Sequence, residues 1–125
     1  MKLSPPFQRP QALLDLAPEI FRQRVVIEGI PVGALSATTI RDYLRELSSV
    51  LEMKTLLDPV THRSDRFGWA GWIHWETSGA HFYAWEEPRL FFSVDVYTCK
   101  AFDAAVAAEF TRRRLGASAL VYREF

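Results

Sequence analysis

Residues 69–85 read WAGWIHWETSGAHFYAW, and this stretch predicts two adjacent strands joined by a tight turn. Aromatic and aliphatic residues fill both halves, which is typical of strands. Between the halves, the segment Glu76-Thr77-Ser78-Gly79 places two hydroxyl residues and a glycine in succession. Small polar residues and glycine favour turns, so the stretch is interpreted as a hairpin that reverses near residues 76–79.

Three further elements are predicted before the hairpin. A strand begins at Arg24 and ends at Glu28-Gly29, and a short strand covers residues 54–57. Between them Ser36 offers an N-cap to a helix, because apolar residues recur at three- and four-residue spacing at Ile40, Tyr43, Leu44, Leu47, Val50 and Leu51. Asp58-Pro59 is expected to stop the short strand, and residues 58–68 to form a polar loop.

After the hairpin the sequence predicts a strand, a helix and a last strand. The first strand covers residues 90–98, the helix begins at Asp103 and ends at Gly116, and the last strand covers residues 119–122. The apolar face of this helix is expected to contain Phe102, Val106 and Phe110. The order β-α-β-β-β-β-α-β predicts an α+β fold, a two-layer α/β sandwich whose mostly antiparallel sheet carries two helices on one face.

Length and composition indicate one ordinary globular domain. The chain has 125 residues, of which 49% are hydrophobic and 24% are charged. That length supports one core rather than two. Residues 1–22 contain four of the seven prolines and are expected to form a loosely ordered leader before a domain over residues 23–125.

The charge balance and the cysteine content restrict the partners and the compartment. Fifteen basic and fifteen acidic side chains give no net charge, so neither nucleic acid nor a membrane is expected as a partner. Cys99 is the single cysteine and cannot form an internal disulfide. The first residues lack an apolar segment of signal-peptide length. A cytoplasmic location is therefore expected.

The usual catalytic motifs have little support. The three histidines, His62, His74 and His81, suggest a metal site, and His74-Trp75-Glu76 has the His-x-Glu form of a zinc deaminase. The paired cysteines of such a site are missing, so no metal is expected. There is no glycine-rich phosphate loop and no Gly-x-Ser-x-Gly elbow. Arg112-Arg113-Arg114 is interpreted as a solvated helix end.

Residues 77–85 read TSGAHFYAW, and residues 92–99 read FSVDVYTC. These two motifs resemble the prokaryotic S-adenosylmethionine decarboxylases, which depend on a pyruvoyl group. In that family a strand ends in Glu-Ser, a His-Thr-Trp-Pro-Glu segment follows, and a later strand reads roughly Ala-Val-Asp-Val-Phe-Thr-Cys. The order of the elements from the first strand to the last is also similar.

The resemblance implies self-cleavage and a self-generated cofactor. Members of the family cut themselves before a serine, here Ser78, whose hydroxyl attacks the carbonyl of the preceding residue, here Thr77. The serine becomes a covalent pyruvoyl group, which condenses with the substrate amine and accepts electrons as carbon dioxide leaves. A cysteine, here Cys99, returns a proton to carbon. The product serves polyamine biosynthesis.

The sequence departs from the family pattern at four positions. The family has glutamate, histidine, histidine and serine where this chain has Thr77, Gly79, Tyr83 and Ala70. His81 lies two residues before Tyr83 and would share its face of a strand. An imidazole is a competent base near neutral pH, so His81 is the predicted replacement in processing, with Tyr83 as a hydrogen-bond donor.

Substrate binding is expected to use aromatic side chains. A sulfonium cation and an adenine ring both gain from contact with aromatic faces, and the candidates are Trp69, Phe67 and Trp85. Asp95 shares a strand face with Cys99 and is a further candidate. The resemblance implies a homodimer. Two alternatives stay open: a pyruvoyl-dependent decarboxylase of ornithine or arginine, and an unprocessed homologue that binds a ligand without chemistry.

Overall fold

The computed structural model describes residues 15–125 of the chain. The part of the predicted leader that falls on residues 1–14 lies outside them. Eight elements follow one another in the predicted order: β1 (Gln23–Pro31), α1 (Ala37–Val50), β2 (Thr55–Arg63), β3 (Gly68–Trp75), β4 (Ser78–Trp85), β5 (Phe91–Thr98), α2 (Ala104–Leu115) and β6 (Ala117–Glu124).

The strands form one six-stranded sheet in the order β2-β3-β4-β5-β1-β6. Every neighbouring pair is antiparallel. Both helices pack on the same face, where alternate residues of the strands are buried. The predicted α+β sandwich is therefore confirmed. The hairpin is confirmed as well, because β3 pairs with β4 from Gly68–Trp85 to Trp75–Ser78.

Helix α1 forms where the spacing predicts it. The Ser36 hydroxyl accepts a hydrogen bond from the backbone N–H of Thr39 at 3.1 Å, which satisfies one free amide of the first turn. Tyr43 is fully buried and its ring packs 5.3 Å from that of Phe82, between centroids. Its hydroxyl lies 2.7 Å from that of Thr111. This contact joins α1 to α2.

Helix α2 begins and ends as predicted, and its buried face is predicted in part, because Phe102 and Phe110 pack against the core as expected. Asp103 caps the first turn, and Gly116 ends the helix at φ 61°. Val106 is 45% exposed, so its predicted place on the apolar face is wrong. The buried residues are small or lie elsewhere on the helix: Ala104, Ala107, Ala108, Thr111 and Leu115. Small side chains let α2 approach α1 and the sheet closely, so these residues are buried and the larger Val106 faces solvent.

Strand β2 is longer than predicted. The expected loop over residues 58–68 is wrong for its first half, because the strand continues to Arg63. Pro59 lies within it, at an irregularity in the pairing with β3 between Leu57 and Val60. An edge strand tolerates proline because its outer N–H groups have no partner strand to satisfy. Asp58-Pro59 therefore disturbs the register without ending the strand.

The second face of the sheet carries no helix among the described residues. It presents alternate residues of each strand, including Trp72, Tyr83, Asp95 and Tyr97. We call this surface the open face. Neither described helix is both long and apolar enough to cross a membrane.

Candidate active site

The predicted cleavage site lies in the turn between β3 and β4. Trp75 and Ser78 are the last cross-strand partners, and Glu76 and Thr77 form the turn between them. Ser78 has a φ of 134°, which residues with a side chain rarely adopt. Such a conformation costs on the order of 1–3 kcal/mol and persists only where the surroundings hold it. The strained residue is thus one partner of the peptide bond expected to break.

The carbonyl oxygen of Thr77 has two donors from Cys99. The backbone N–H of Cys99 donates to it at 2.9 Å, and the Cys99 thiol donates from 3.4 Å. Donors on a carbonyl oxygen stabilise the negative charge that develops there when a nucleophile adds to the carbonyl carbon. Cys99 is also exposed, so a small molecule can reach its thiol.

Hydrogen-bonded side chains hold Thr77 from beneath the turn. The hydroxyl of Thr98 accepts from the backbone N–H of Lys100 at 3.0 Å and donates to the hydroxyl of Thr77 at 3.1 Å. The Thr77 hydroxyl donates to the sulfur of Met53 at 3.5 Å. Thr98 is fully buried and Met53 is nearly so. The side chain of Thr77 is therefore fixed by an acceptor and a donor together.

Trp75 anchors the same hairpin to helix α1. Its indole Nε1–H donates to the buried hydroxyl of Ser48 at 2.7 Å, and this hydroxyl donates to the carbonyl of Leu44 at 2.8 Å. Both polar groups of the buried pair are satisfied. The residue that precedes the turn is thus fixed to the core.

Glycine at position 79 is a requirement of this tight hairpin. A Cβ atom there would lie 2.3 Å from the carbonyl oxygen of Ile73, on the opposite strand. A backbone oxygen cannot move away as the end of a side chain can, so a larger residue would push the strands apart. In this structure there is therefore a steric reason why position 79 holds glycine and not the histidine of the family pattern.

Ser78 borders a groove of about 510 Å³ on the open face. The groove is lined by polar and aromatic side chains that include Arg24, Trp72, His74, His81, Asp95 and Tyr97. His81 lies opposite Trp72 on one side and Asp95 on the other. Of the residues predicted from the sequence, the groove brings together Ser78, His81 and Asp95.

Arg24 and Asp95 form a two-pronged ion pair at the edge of this groove. The Nε and one terminal nitrogen of Arg24 each lie 2.9 Å from a different carboxylate oxygen of Asp95. The hydrogen bond and the charge of Asp95 raise the pKa of the Arg24 guanidinium. The pair fixes the carboxylate on the open face and keeps a positive charge beside it.

The remaining predicted residues line a second groove at the other end of the hairpin. Phe67, Trp69, Tyr83 and Trp85 surround about 270 Å³ there. Tyr83 lies five residues along β4 from Ser78, or about 17 Å at the usual rise of a strand. Within one chain, these four side chains therefore do not meet Ser78.

Comparison with known proteins agrees with this arrangement. A family model described as S-adenosylmethionine decarboxylase matches residues 28–125. The chain belongs to the S-adenosylmethionine decarboxylase family. No curated protein matches it significantly. A crystal structure of the adenosylmethionine decarboxylase from Aquifex aeolicus VF5 shares 16% identity, with a TM-score of 0.69 over 85% of this chain and 89% of that one. At this identity the likeness shows the fold.

Within this S-adenosylmethionine decarboxylase fold, two of the four departures are neighbours. Ala70 and Tyr83 are direct cross-strand partners, at the positions where the family pattern has serine and histidine. Both lie in the second groove, away from Thr77 and Gly79. The departures therefore form two separate groups, one at the turn and one along the strands.

Several residues of the site could not be singled out in the sequence. Arg24 and Met53 reach it from two other segments that no motif marks, whereas Thr98 lies within the motif over residues 92–99 without being singled out there. Tyr97 and Trp72 could have been found, because strand alternation puts them on the same faces as Asp95 and His74. Among residues 15–125, no three His, Cys, Asp or Glu side chains come together as a metal site would require.

Proposed function

We propose that this chain is the precursor of a pyruvoyl-dependent decarboxylase of S-adenosylmethionine, and that it cleaves itself between Thr77 and Ser78. One observation carries the proposal. The strained Ser78 follows a carbonyl whose oxygen receives the N–H and the thiol of Cys99. A serine has the β-oxygen that the reaction needs, so the residue present fits the group that it would become.

The proposed cleavage begins with attack of the Ser78 hydroxyl oxygen on the carbonyl carbon of Thr77. The hydroxyl proton passes to a base, the peptide C–N bond breaks, and the nitrogen of Ser78 leaves as an amine, so that an ester joins the two residues. Loss of the Ser78 α-proton then expels Thr77 as a free carboxylate. Water replaces the nitrogen of the remaining enamine, ammonia leaves, and a ketone remains.

His81 is the proposed base for this step. It lines the same groove as Ser78 and is exposed. His81 lies three positions along β4 from Ser78, about 10 Å between Cα atoms at the rise of a regular strand. Because one water molecule bridges only about 5–6 Å, proton transfer also requires the strained turn to shift toward the groove.

The pyruvoyl group, once formed, supplies an electron sink for the carbon from which carbon dioxide leaves. Cys99 is the proposed donor of the proton that this carbon then requires. Its thiol is exposed and lies beside the carbonyl of Thr77, next to the position where the new group would start. A reducing compartment protects an exposed thiol from oxidation, so a role for Cys99 in catalysis fits a cytoplasmic location.

The groove beside Ser78 suits a molecule that carries an aromatic base and a cationic centre, because Trp72 and Tyr97 provide aromatic faces. Stacking and cation–π contacts of this kind contribute about 1 kcal/mol each. Asp95 and Arg24 neutralise each other and supply polar contacts at its edge. Decarboxylated S-adenosylmethionine would serve as the donor of aminopropyl groups in polyamine biosynthesis.

We further propose a homodimer formed by two open faces. Tyr83 and Tyr97 are 41% and 47% exposed there, and their neighbours include Trp72, Trp85 and Phe91. A two-fold axis that lies between the two faces, parallel to the sheet and perpendicular to the strands, pairs each end of one face with the opposite end of the other. The groove with Phe67, Trp69, Tyr83 and Trp85 would then face Ser78 of the second copy, so all the predicted residues could share one site.

Mass spectrometry of the purified chain tests the cleavage. Cleavage splits the 125 residues into 77 and 48, and the smaller fragment should resist Edman degradation and react with hydrazines. The Ser78→Ala variant is the matched control and should stay whole. A wild-type chain that remains whole after long incubation, and does not react with hydrazines, refutes the proposal and leaves the unprocessed homologue.

Release of labelled carbon dioxide then identifies the substrate. The cleaved protein should release it from carboxyl-labelled S-adenosylmethionine and not from ornithine or arginine. Release from either of the latter alone would overturn the proposed substrate but not the cleavage. Light scattering should give a mass near twice the 14.4 kDa of one chain, and a monomer at all working concentrations would refute the dimer.

A further inference from the structure

Thr98 contacts the expected cleavage site in three ways. It is the cross-strand partner of Ser78 in the sheet. Its side-chain hydroxyl donates to the hydroxyl of Thr77. It also directly precedes Cys99, whose N–H and thiol contact the Thr77 carbonyl oxygen. The two residues of the expected break are thus both joined to one fully buried threonine.

The hydroxyl protons in this cluster run in one direction. The N–H of Lys100 donates to Thr98, Thr98 donates to Thr77, and Thr77 donates to the sulfur of Met53. Each of the two threonine hydroxyls accepts one hydrogen bond and donates one, and the Thr98 hydroxyl also lies 3.9 Å from the Met53 sulfur. These contacts restrain the side chain of Thr77. We call these four residues the threonine relay.

We propose that Thr98 and Met53 are positioning residues for the self-cleavage of this chain, acting through Thr77. This inference rests on the proposed function. The relay holds the Thr77 side chain, the orientation of that residue aims its carbonyl at Cys99, and the strained φ of Ser78 is kept from relaxing. Neither Thr98 nor Met53 touches the reacting atoms of Ser78, so their action is indirect.

Positioning matters because the Ser78 hydroxyl must approach the carbonyl carbon of Thr77 in a fixed geometry. A hydroxyl adds to a carbonyl only when the reacting atoms are close and aligned, and a displacement of about 1 Å can cost about 100-fold in rate. A strained residue returns to an ordinary conformation unless its neighbours are immobilised. The Thr77 carbonyl is held by Cys99 alone once the side chain is free to rotate. The relay supplies the second point of attachment.

The first experiment compares cleavage rates in Thr98→Val and Thr98→Ser. Valine keeps the shape of threonine and removes the hydroxyl, so cleavage should slow by about tenfold or more. Serine keeps the hydroxyl and should restore most of the rate. Met53→Leu removes the sulfur acceptor at similar volume and should slow cleavage in the same direction. Decarboxylation per cleaved chain should change far less, because the relay acts on the uncleaved peptide.

Thr111→Val is the matched control. Thr111 is also fully buried, and its hydroxyl donates to the carbonyl of Ala107, remote from the turn. The Thr111→Val variant should be less stable than the wild type, but it should cleave at the wild-type rate at temperatures where it is folded. Equal slowing in Thr111→Val and Thr98→Val would mean that buried hydroxyls act through general stability, and this would overturn the proposal.

The second experiment does not depend on cleavage. In the uncleavable Ser78→Ala background, hydrogen exchange reports how firmly the Cys99 N–H is held by the Thr77 carbonyl. Adding Thr98→Val should speed exchange of that amide by about tenfold, and Thr98→Ser should restore protection. Unchanged protection overturns the relay whether or not the wild type cleaves. A different result is also informative: the wild-type chain stays uncleaved while protection of the Cys99 N–H falls in Thr98→Val and returns in Thr98→Ser. That result refutes the self-cleavage and limits the role of the relay to holding the turn.

Discussion

Ala70 and Tyr83 face each other directly across β3 and β4. Both stand where the family pattern has a residue of the processing machinery, so the two losses occur at one contact rather than at random places. Tyr83 keeps its side chain 41% exposed on the open face. A change at this contact is therefore compatible with the fold.

Restoring the family pair should speed self-cleavage. The variant with Ala70→Ser and Tyr83→His regains a hydroxyl and a base, which in the proposed dimer face Ser78 of the second copy, and a well-placed acid or base contributes about 10²- to 10⁴-fold to a rate. We expect the two fragments to appear about tenfold faster or more, measured by mass spectrometry against time. The same pair of substitutions in the Ser78→Ala background should yield no fragments. An unaltered or slower rate would count against a role for this contact.

Removing the imidazole of His81 should slow cleavage in the wild-type background. His81→Ala removes the proposed base, and His81→Gln keeps a polar side chain of similar length that cannot accept the proton. Both variants should slow fragment formation by about 100-fold. If His81→Gln cleaves at the wild-type rate, the ring serves as a polar contact and the base lies elsewhere.

Substitutions of Cys99 should affect self-cleavage and decarboxylation differently. Cys99→Ser keeps a donor beside the Thr77 carbonyl, so cleavage should continue, because the backbone N–H contact is also unchanged. Serine is a poorer acid than cysteine, so decarboxylation per cleaved chain should fall by about 100-fold or more. Cys99→Ala tests the thiol contact and should also slow cleavage. Full decarboxylase activity in Cys99→Ser would assign the proton to another group.

Tyr43 should make the fold sensitive to alkaline pH. Burial raises the pKa of its phenol well above the ordinary value. The unfolded chain loses this proton near pH 10. The pKa of Tyr43 is higher in the folded chain than in the unfolded chain. Its contribution to the free energy of unfolding is therefore complete below about pH 10 and decreases as the pH rises above it.

Tyr43→Phe tests this expectation by urea unfolding at neutral pH and at about pH 10.5. The variant should lose about 1 kcal/mol at neutral pH, because the contact with the Thr111 hydroxyl is removed. It should then show a smaller alkaline loss than the wild type. Tyr122→Phe, at an exposed position on β6, is the control and should keep the wild-type alkaline loss. Equal losses in all three proteins would show that Tyr43 does not govern the response.

Local patterns predicted most of the elements correctly. Helix α1 follows from its three- and four-residue spacing and from the Ser36 cap, both of which depend on neighbours in sequence. The turn at Glu76-Thr77 follows from its small polar residues. Strand β2 was interrupted too early at Pro59, because the sequence does not reveal that the strand lies at an edge. Position in the sheet is a property of the whole fold.

The candidate site, like the fold, could be predicted from the sequence only in part. The positions of Ser78 and Cys99 are apparent from two short motifs, since a motif records residues that stay close along one strand or turn. The contact between Cys99 and the Thr77 carbonyl requires β4 and β5 to pair in one register. Met53 and Thr98 meet Thr77 from other segments.

From the sequence by itself came the fold class, the hairpin and the two motifs, because periodicity and turn chemistry act over a few residues. Only the tertiary structure decided that Tyr83 is paired with Ala70, that Asp95 is paired with Arg24, and that Ser78 is strained. These facts depend on strand pairing and packing between distant segments. No local preference of the chain specifies which segments will meet.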